Sequence, residues 1–95
     1  MNATTTKPTK LIFWTRGPHD SRDTASGTAE YELIHGSAVS IARHADIYGQ
    51  SAIDAAVVAG ELRPAAHNRP EFRVAGGHGV TVVYGSGRTR EVRGY

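Results

Sequence analysis

"SIARHADIYGQSAIDAAVVAGELRP" (residues 40–64) decides the architecture of this chain. Val39, Ile41, Ala42 and Ala45 recur with helical period, and Ser37 in front of them is a side-chain cap for a first helix. Gly49 interrupts the pattern. Ser51, followed three residues later by Asp54, has the spacing of a capping box and predicts a second helix start. Ile53, Ala56 and Val57 form its apolar side, and Gly60 suits a left-handed C-terminal cap. One continuous helix over 38–59 is the alternative, because an interior glycine costs only about 1 kcal/mol relative to alanine. The Ser-x-x-Asp start directly after Gly49 favours two helices.

Toward the N-terminus, "KLIFWTR" (10–16) is rich in β-branched and aromatic residues and predicts a strand with apolar residues on both faces. "AEYELIH" (29–35) alternates Glu30 and Glu32 with Tyr31 and Leu33, as a half-buried strand does. The segment between them, 17–28, is broken by glycine, proline and aspartate and reads as a loop around which the two strands can pair. Residues 1–9 read as a flexible tail. Beyond the helices, "RPAAHNRPE" (63–71) holds two prolines and predicts a connection. Three strands follow at 72–77, 79–85 and 88–95, punctuated by Gly-Gly-His-Gly and Gly-Ser-Gly turns. In the second of these Val80, Val82 and Tyr84 face one way and Thr81 and Val83 the other. The expected fold is α+β, one small domain over 10–95, in the order β-β-α-α-β-β-β, with an antiparallel sheet packed against the helix pair.

The chain has 95 residues, enough for one domain with a modest core. It contains no cysteine, which excludes disulfides, thiolate metal sites and cysteine nucleophiles and fits a reducing compartment. No apolar run approaches the length of a membrane span, and the polar start has no secretory-signal core, so a cytoplasmic location is expected. Net charge is +2, unevenly placed. Residues 1–62 hold more acids than bases, whereas 63–95 hold six arginines, Arg63, Arg69, Arg73, Arg88, Arg90 and Arg93, against Glu71 and Glu91. Arginine suits planar recognition of phosphate or carboxylate, so an anionic partner for the C-terminal third is expected. A solvated basic hairpin, charged to protect an edge strand, accounts for the same residues.

Catalytic and metal chemistry find little support. The five histidines, at 19, 35, 44, 67 and 78, show no paired ligand spacing, so no metal or cofactor is expected. His19-Asp20 and His44-x-Asp46 have acid–base composition but no accompanying nucleophile, and surface roles are the expectation. The glycine-rich "GGHGVTVVYGSG" leads into a strand where a phosphate loop requires a helix N-terminus, and hairpin turns are the better reading.

The helix pair has the ingredients of a helix-turn-helix, with Ala45, Gly49 and Ile53 at the positions where the helices approach. "IARHADIYGQSAIDAAVVAGELRPAAHNRPEFRV" (41–74) resembles the winged-helix DNA-binding modules of phage excisionases. Their pattern is an alanine-bearing helix, a glycine turn, a serine-capped recognition helix, then Gly-Glu-Leu leading to an arginine-bearing wing. Ala42, Ala45, Gly49, Ser51, Gly60, Glu61 and Leu62 match it, with Arg69 and Arg73 in the wing. The chain departs from the pattern in a short Gly49–Gly60 interval and in a second helix without basic residues. The resemblance implies a non-enzymatic regulator that binds double-stranded DNA through Gln50, Ser51 and the six arginines. The alternative is a protein-binding inhibitor of the kind phages make against host machinery, including anti-CRISPR proteins, which docks on a host protein or nucleoprotein complex and blocks a nucleic-acid groove.

Overall fold

In the computed structural model, which describes residues 7–18 and 25–95, alternation along the first strand sets which way the sheet faces. Strand β1 (Pro8–Arg16) turns Leu11, Phe13 and Thr15 into the core. Strand β2 (Gly27–Leu33) pairs with it antiparallel, setting Tyr31 opposite Leu11 and Ala29 opposite Phe13. The helices α1 (Ala38–Tyr48) and α2 (Gln50–Val58) follow, then β3 (Leu62–Pro64), β4 (Arg73–Val74), β5 (Val80–Tyr84) and β6 (Thr89–Val92). The sheet runs β3-β2-β1-β5-β6, and β4 pairs with the end of β1 beyond β5. Both helices contact one face of this sheet, α1 against β5, β1 and β6, and α2 against β3. The core is the layer between: Leu11, Phe13, Tyr31, Val80, Val82 and Val92 from the sheet, with Ala42, Ala45, Ile53 and Ala56 from the helices. Small alanines let the helices lie close, and Phe13 meets Tyr31 edge to face at 5.6 Å between ring centroids.

The α+β class, the antiparallel sheet and the order of elements agree with the sequence reading, and several local features differ, among them the last strand, expected over 88–95 and formed over Thr89–Val92. The first two strands each begin two residues earlier than expected. Arg63 and Pro64, expected to begin a connection, join Leu62 in a short edge strand, because Leu62 is buried opposite Leu33 while Pro64 ends the ladder. The strand expected over 72–77 narrows to two residues, because the backbone at 75–77 turns to meet α1. Ser51 is not a cap. Ser37 does cap α1, accepting from the Ser40 N–H at 3.3 Å, but α2 is opened by Gly49, and Ser51 lies in its first turn, donating to the Tyr48 carbonyl at 3.2 Å. Gly49 closes α1 through its N–H to Ala45 O and adopts φ +69°, which turns the chain at once into α2. A Cβ there would lie 2.9 Å from the Val74 carbonyl, so the one-residue joint requires glycine.

The 75–79 segment and the C-terminus are tied to α1 by one side chain. Asp46 is 3% exposed; its Oδ1 accepts from the N–H groups of Gly77 and Gly79, at 2.9 and 2.8 Å, and its Oδ2 from that of Gly94, at 2.9 Å. Its backbone carbonyl also accepts from Gly77, at 2.8 Å. The approach is so close that a Cβ on Gly76 would stand 2.5 Å from that carbonyl oxygen. Burial alone pushes the Asp46 carboxyl up, but the N–H groups of Gly94, Gly79 and Gly77, with the nearby Arg93 charge, outweigh it and hold its pKa below the ordinary value.

Asp46→Asn sets an amide against a site built of N–H donors, and is expected to cost about 2–4 kcal/mol of stability in urea unfolding. Because the folded-state pKa is depressed, the contribution of Asp46 is fully present above the ordinary carboxylate range, about pH 4, and is lost as pH falls through the folded value. Comparing the acid limb of the stability–pH curve for the two proteins checks this: the variant should have the shallower fall.

Candidate functional site

Seven of the eight residues expected to contact an anionic partner divide into three groups, and Ser51 stands apart from them. Arg63 lies on the helix-free face of the sheet, where its Nε donates to Glu32 Oε1 at 3.0 Å. Beside it Lys10 pairs with Glu30 at 3.0 Å, and Ile12, Trp14 and Val83 complete a surface of paired charges and apolar side chains. Such exposed ion pairs add little stability, but they leave this face with little net field.

Gln50, Arg69 and Arg73 gather around one cleft beneath the segment 64–73. Gln50 is held from three sides: its Oε1 accepts from the Val74 N–H at 3.0 Å, and its Nε2 donates to Asp54 Oδ1 at 2.9 Å and to the Tyr31 hydroxyl at 3.4 Å. Its amide joins α2 to β4 and is spent inside the molecule. Arg73 reaches Asp54 at 3.5 Å, and the Arg69 guanidinium lies over the Phe72 ring at 5.7 Å. The segment is anchored by Asn68, whose amide accepts from the Glu30 N–H at 3.0 Å and donates to the Glu30 carbonyl at 2.8 Å. That amide continues the β2 edge where β3 stops. Two cavities, of 470 and 390 Å³, lie under the segment, and Ala29, Arg69 and Phe72 line both. Thr15 lines the smaller one. It is 1% exposed, and its hydroxyl has no hydrogen-bond partner among the described residues.

Arg88, Arg90 and Arg93 stand at the opposite edge, around β6. Arg93 donates to the Gly77 carbonyl at 3.2 Å and adds to the field at Asp46. Arg88 and Arg90 are exposed and make no ion pair among the described residues. Three strands separate Arg90 from Arg63 in the order of the sheet, so the six arginines expected to meet an anionic partner do not form one joint surface. The reason is topological: β3 and β6 are far apart because β2, β1 and β5 are placed between them. Ser51 belongs to none of these groups, and the outward side of α2 carries Ser51, Asp54, Ala55 and Val58 without a basic residue.

His44 and Asp46 do not form a pair: Asp46 points inward, while His44 is exposed beside Tyr48, with ring centroids 4.7 Å apart. His19 and Asp20 lie outside the described residues. No group of three or more metal-ligating side chains occurs among the described residues, and no helix there is long and apolar enough to cross a membrane. Thr15, Phe72 and Asn68 were missed from the sequence, although Thr15 continues the inward series Leu11, Phe13 and so marks a polar group at a core position. Comparison of the chain with family models, with curated proteins and with solved structures finds no match.

Two substitutions separate the roles of these polar groups. Gln50→Ala leaves the Val74 N–H without its acceptor and is expected to cost about 1–2 kcal/mol in urea unfolding, as a structural amide does. Thr15→Val removes an unpartnered buried hydroxyl and is expected to raise stability by about 1 kcal/mol, a rise of about 4–8 °C in the melting temperature of a domain this size.

Proposed function

We propose that this chain is a non-enzymatic protein-binding module, of the inhibitor or adaptor kind, that takes up an extended acidic segment of its partner along β6. The observation that carries the reading is the state of that strand. It is the outermost of the order β3-β2-β1-β5-β6, and its two exposed arginines, Arg88 and Arg90, have no ion pair among the described residues. The Tyr84 N–H donates to the Arg88 carbonyl at 2.9 Å. Antiparallel alternation then makes Val82–Arg90 the next hydrogen-bonded pair and turns the N–H and C=O groups of Thr89 and Glu91 outward. An added strand would satisfy those groups, and acidic side chains on it would meet Arg88 and Arg90 as cross-strand neighbours. Binding of this kind acts by occupation and needs no catalytic set.

Duplex reading by α2 is the weaker proposal. Gln50 is already hydrogen-bonded on both ends of its amide, Ser51 donates to the Tyr48 carbonyl at the end of α1, and the exposed side of α2 brings no cation to a phosphate backbone.

The discriminating experiment titrates the labelled protein with an acidic peptide of about ten residues that alternates valine and glutamate. A parallel titration uses a random duplex of about 20 base pairs, at low and moderate salt. The peptide should shift the amide resonances of residues 88–92, and Arg88→Glu with Arg90→Glu should weaken it about tenfold or more. Tighter binding of the duplex, with shifts on α2 and a steep salt dependence, would overturn this reading in favour of DNA recognition.

A further inference from the structure

The smaller cavity under the 64–73 segment has a use that the β6 edge does not supply. We infer that it is a binding site for a small flat molecule bearing an oxyanion, such as an aromatic carboxylate, and a second hydrogen-bonding group that Thr15 meets. Three observations converge on this chemistry, and none involves β6.

The first is the orphan hydroxyl. Thr15 is buried in the core-facing series of β1, its Oγ1 has no partner among the described residues, and it lines the 390 Å³ cavity. A buried hydroxyl without a partner is a cost, and valine would fill the same place without it. Gly27, Ala29 and the Phe72 ring give the cavity apolar walls, and Ser26, Thr28, His67 and Arg69 its polar ones. A ligand atom that hydrogen-bonds to Thr15 removes the cost and brings its own apolar body to those walls.

The second is the pair Arg69 and Phe72. Both line the cavity, with the guanidinium over the ring at 5.7 Å. A planar cation held against an aromatic face is a fork positioned for carboxylate or phosphate, and the ring offers a flat apolar wall to whatever carries the anion. Third, the walls are fixed in place. Asn68 locks the segment to Glu30 through two hydrogen bonds, the Phe72 N–H donates to the Arg69 carbonyl at 3.1 Å, and Ala75 N–H to Trp14 O at 3.0 Å. The cavity is therefore largely preformed, which lowers the ordering cost of binding. Its larger neighbour, lined by Gln50 and Arg73, shares Ala29, Arg69 and Phe72 with it.

The test uses the full chain with amide resonances assigned and four probes: 4-hydroxybenzoate, benzoate, phenol and inorganic phosphate. Saturable shifts are expected at Thr15, Ala29, Arg69 and Phe72, with 4-hydroxybenzoate tightest and phenol and phosphate each weaker by about tenfold. Thr15→Val should weaken 4-hydroxybenzoate about fivefold and leave benzoate unchanged, while Thr15→Ser, which restores a hydroxyl, keeps the difference between them. Arg69→Gln should weaken both carboxylates and leave phenol unchanged. The proposal is overturned by an absence of saturable shifts at these residues, by phosphate binding as tightly as 4-hydroxybenzoate, or by Thr15→Val affecting both carboxylates alike. A fall in stability on Thr15→Val also overturns it, because the hydroxyl is then satisfied within the chain. Since these residues lie away from β6, the outcome is independent of the peptide titration.

Discussion

A single buried carboxylate holds the two halves of this molecule together. Asp46 sits on α1, in the first half of the chain, and collects N–H groups from Gly77, Gly79 and Gly94 in the last quarter. Burying an isolated carboxylate costs several kcal/mol; three donors and the Arg93 charge supply the compensation that makes this burial possible. The geometry has consequences on both sides. Pinning 77 and 79 delivers the chain to Val80 in register with Phe13, and pinning 94 brings Val92 beneath α1. The order in which β5 and β6 follow β1 thus depends on one side chain that belongs to neither strand. It also explains why the approach to β5 is so rich in glycine: side chains at Gly76 would collide with the helix carbonyls.

The same topology divides the positive charge. A sheet that places β2, β1 and β5 between its outer strands separates arginines that are neighbours in composition. Those near β3 and α2 find carboxylates, Glu32 and Asp54, on the strands and helix beside them. Those at β6 find no carboxylate among the described residues, and Arg93 donates instead to the Gly77 carbonyl. Charge count was thus a poor guide to field, because the field depends on which cations are already neutralised by neighbours.

Polar groups inside the molecule show the contrast between satisfied and unsatisfied burial. Gln50 and Asn68 each use both ends of an amide to splice strand edges that lack a ladder partner, the outer edge of β4 and the β2 edge beyond β3. Thr15 lies deeper, and its hydroxyl has no such partner among the described residues. Natural cores satisfy most buried hydroxyls, so an exception beside a cavity points to function more than to packing.

From the sequence alone came the elements and their order. The alternation in β1, β2 and β5, the helical period broken at Gly49 and the Ser37 cap are local patterns, and local stereochemistry is enough to read them. Thr15 was also legible in principle, as a polar residue at the third inward position of β1. The tertiary structure decided the rest. Whether Gly49 or Ser51 opened α2 depended on the approach of the Val74 carbonyl; whether Gln50 faced a partner or the interior depended on β4 arriving beside it. Which arginines shared a surface depended on strand order. These are contacts between residues from 19 to 48 positions apart, as in Tyr31 with Gln50 or Asp46 with Gly94. Sequence periodicity carries no record of such distances, because a helix or strand has the same pattern whatever it packs against.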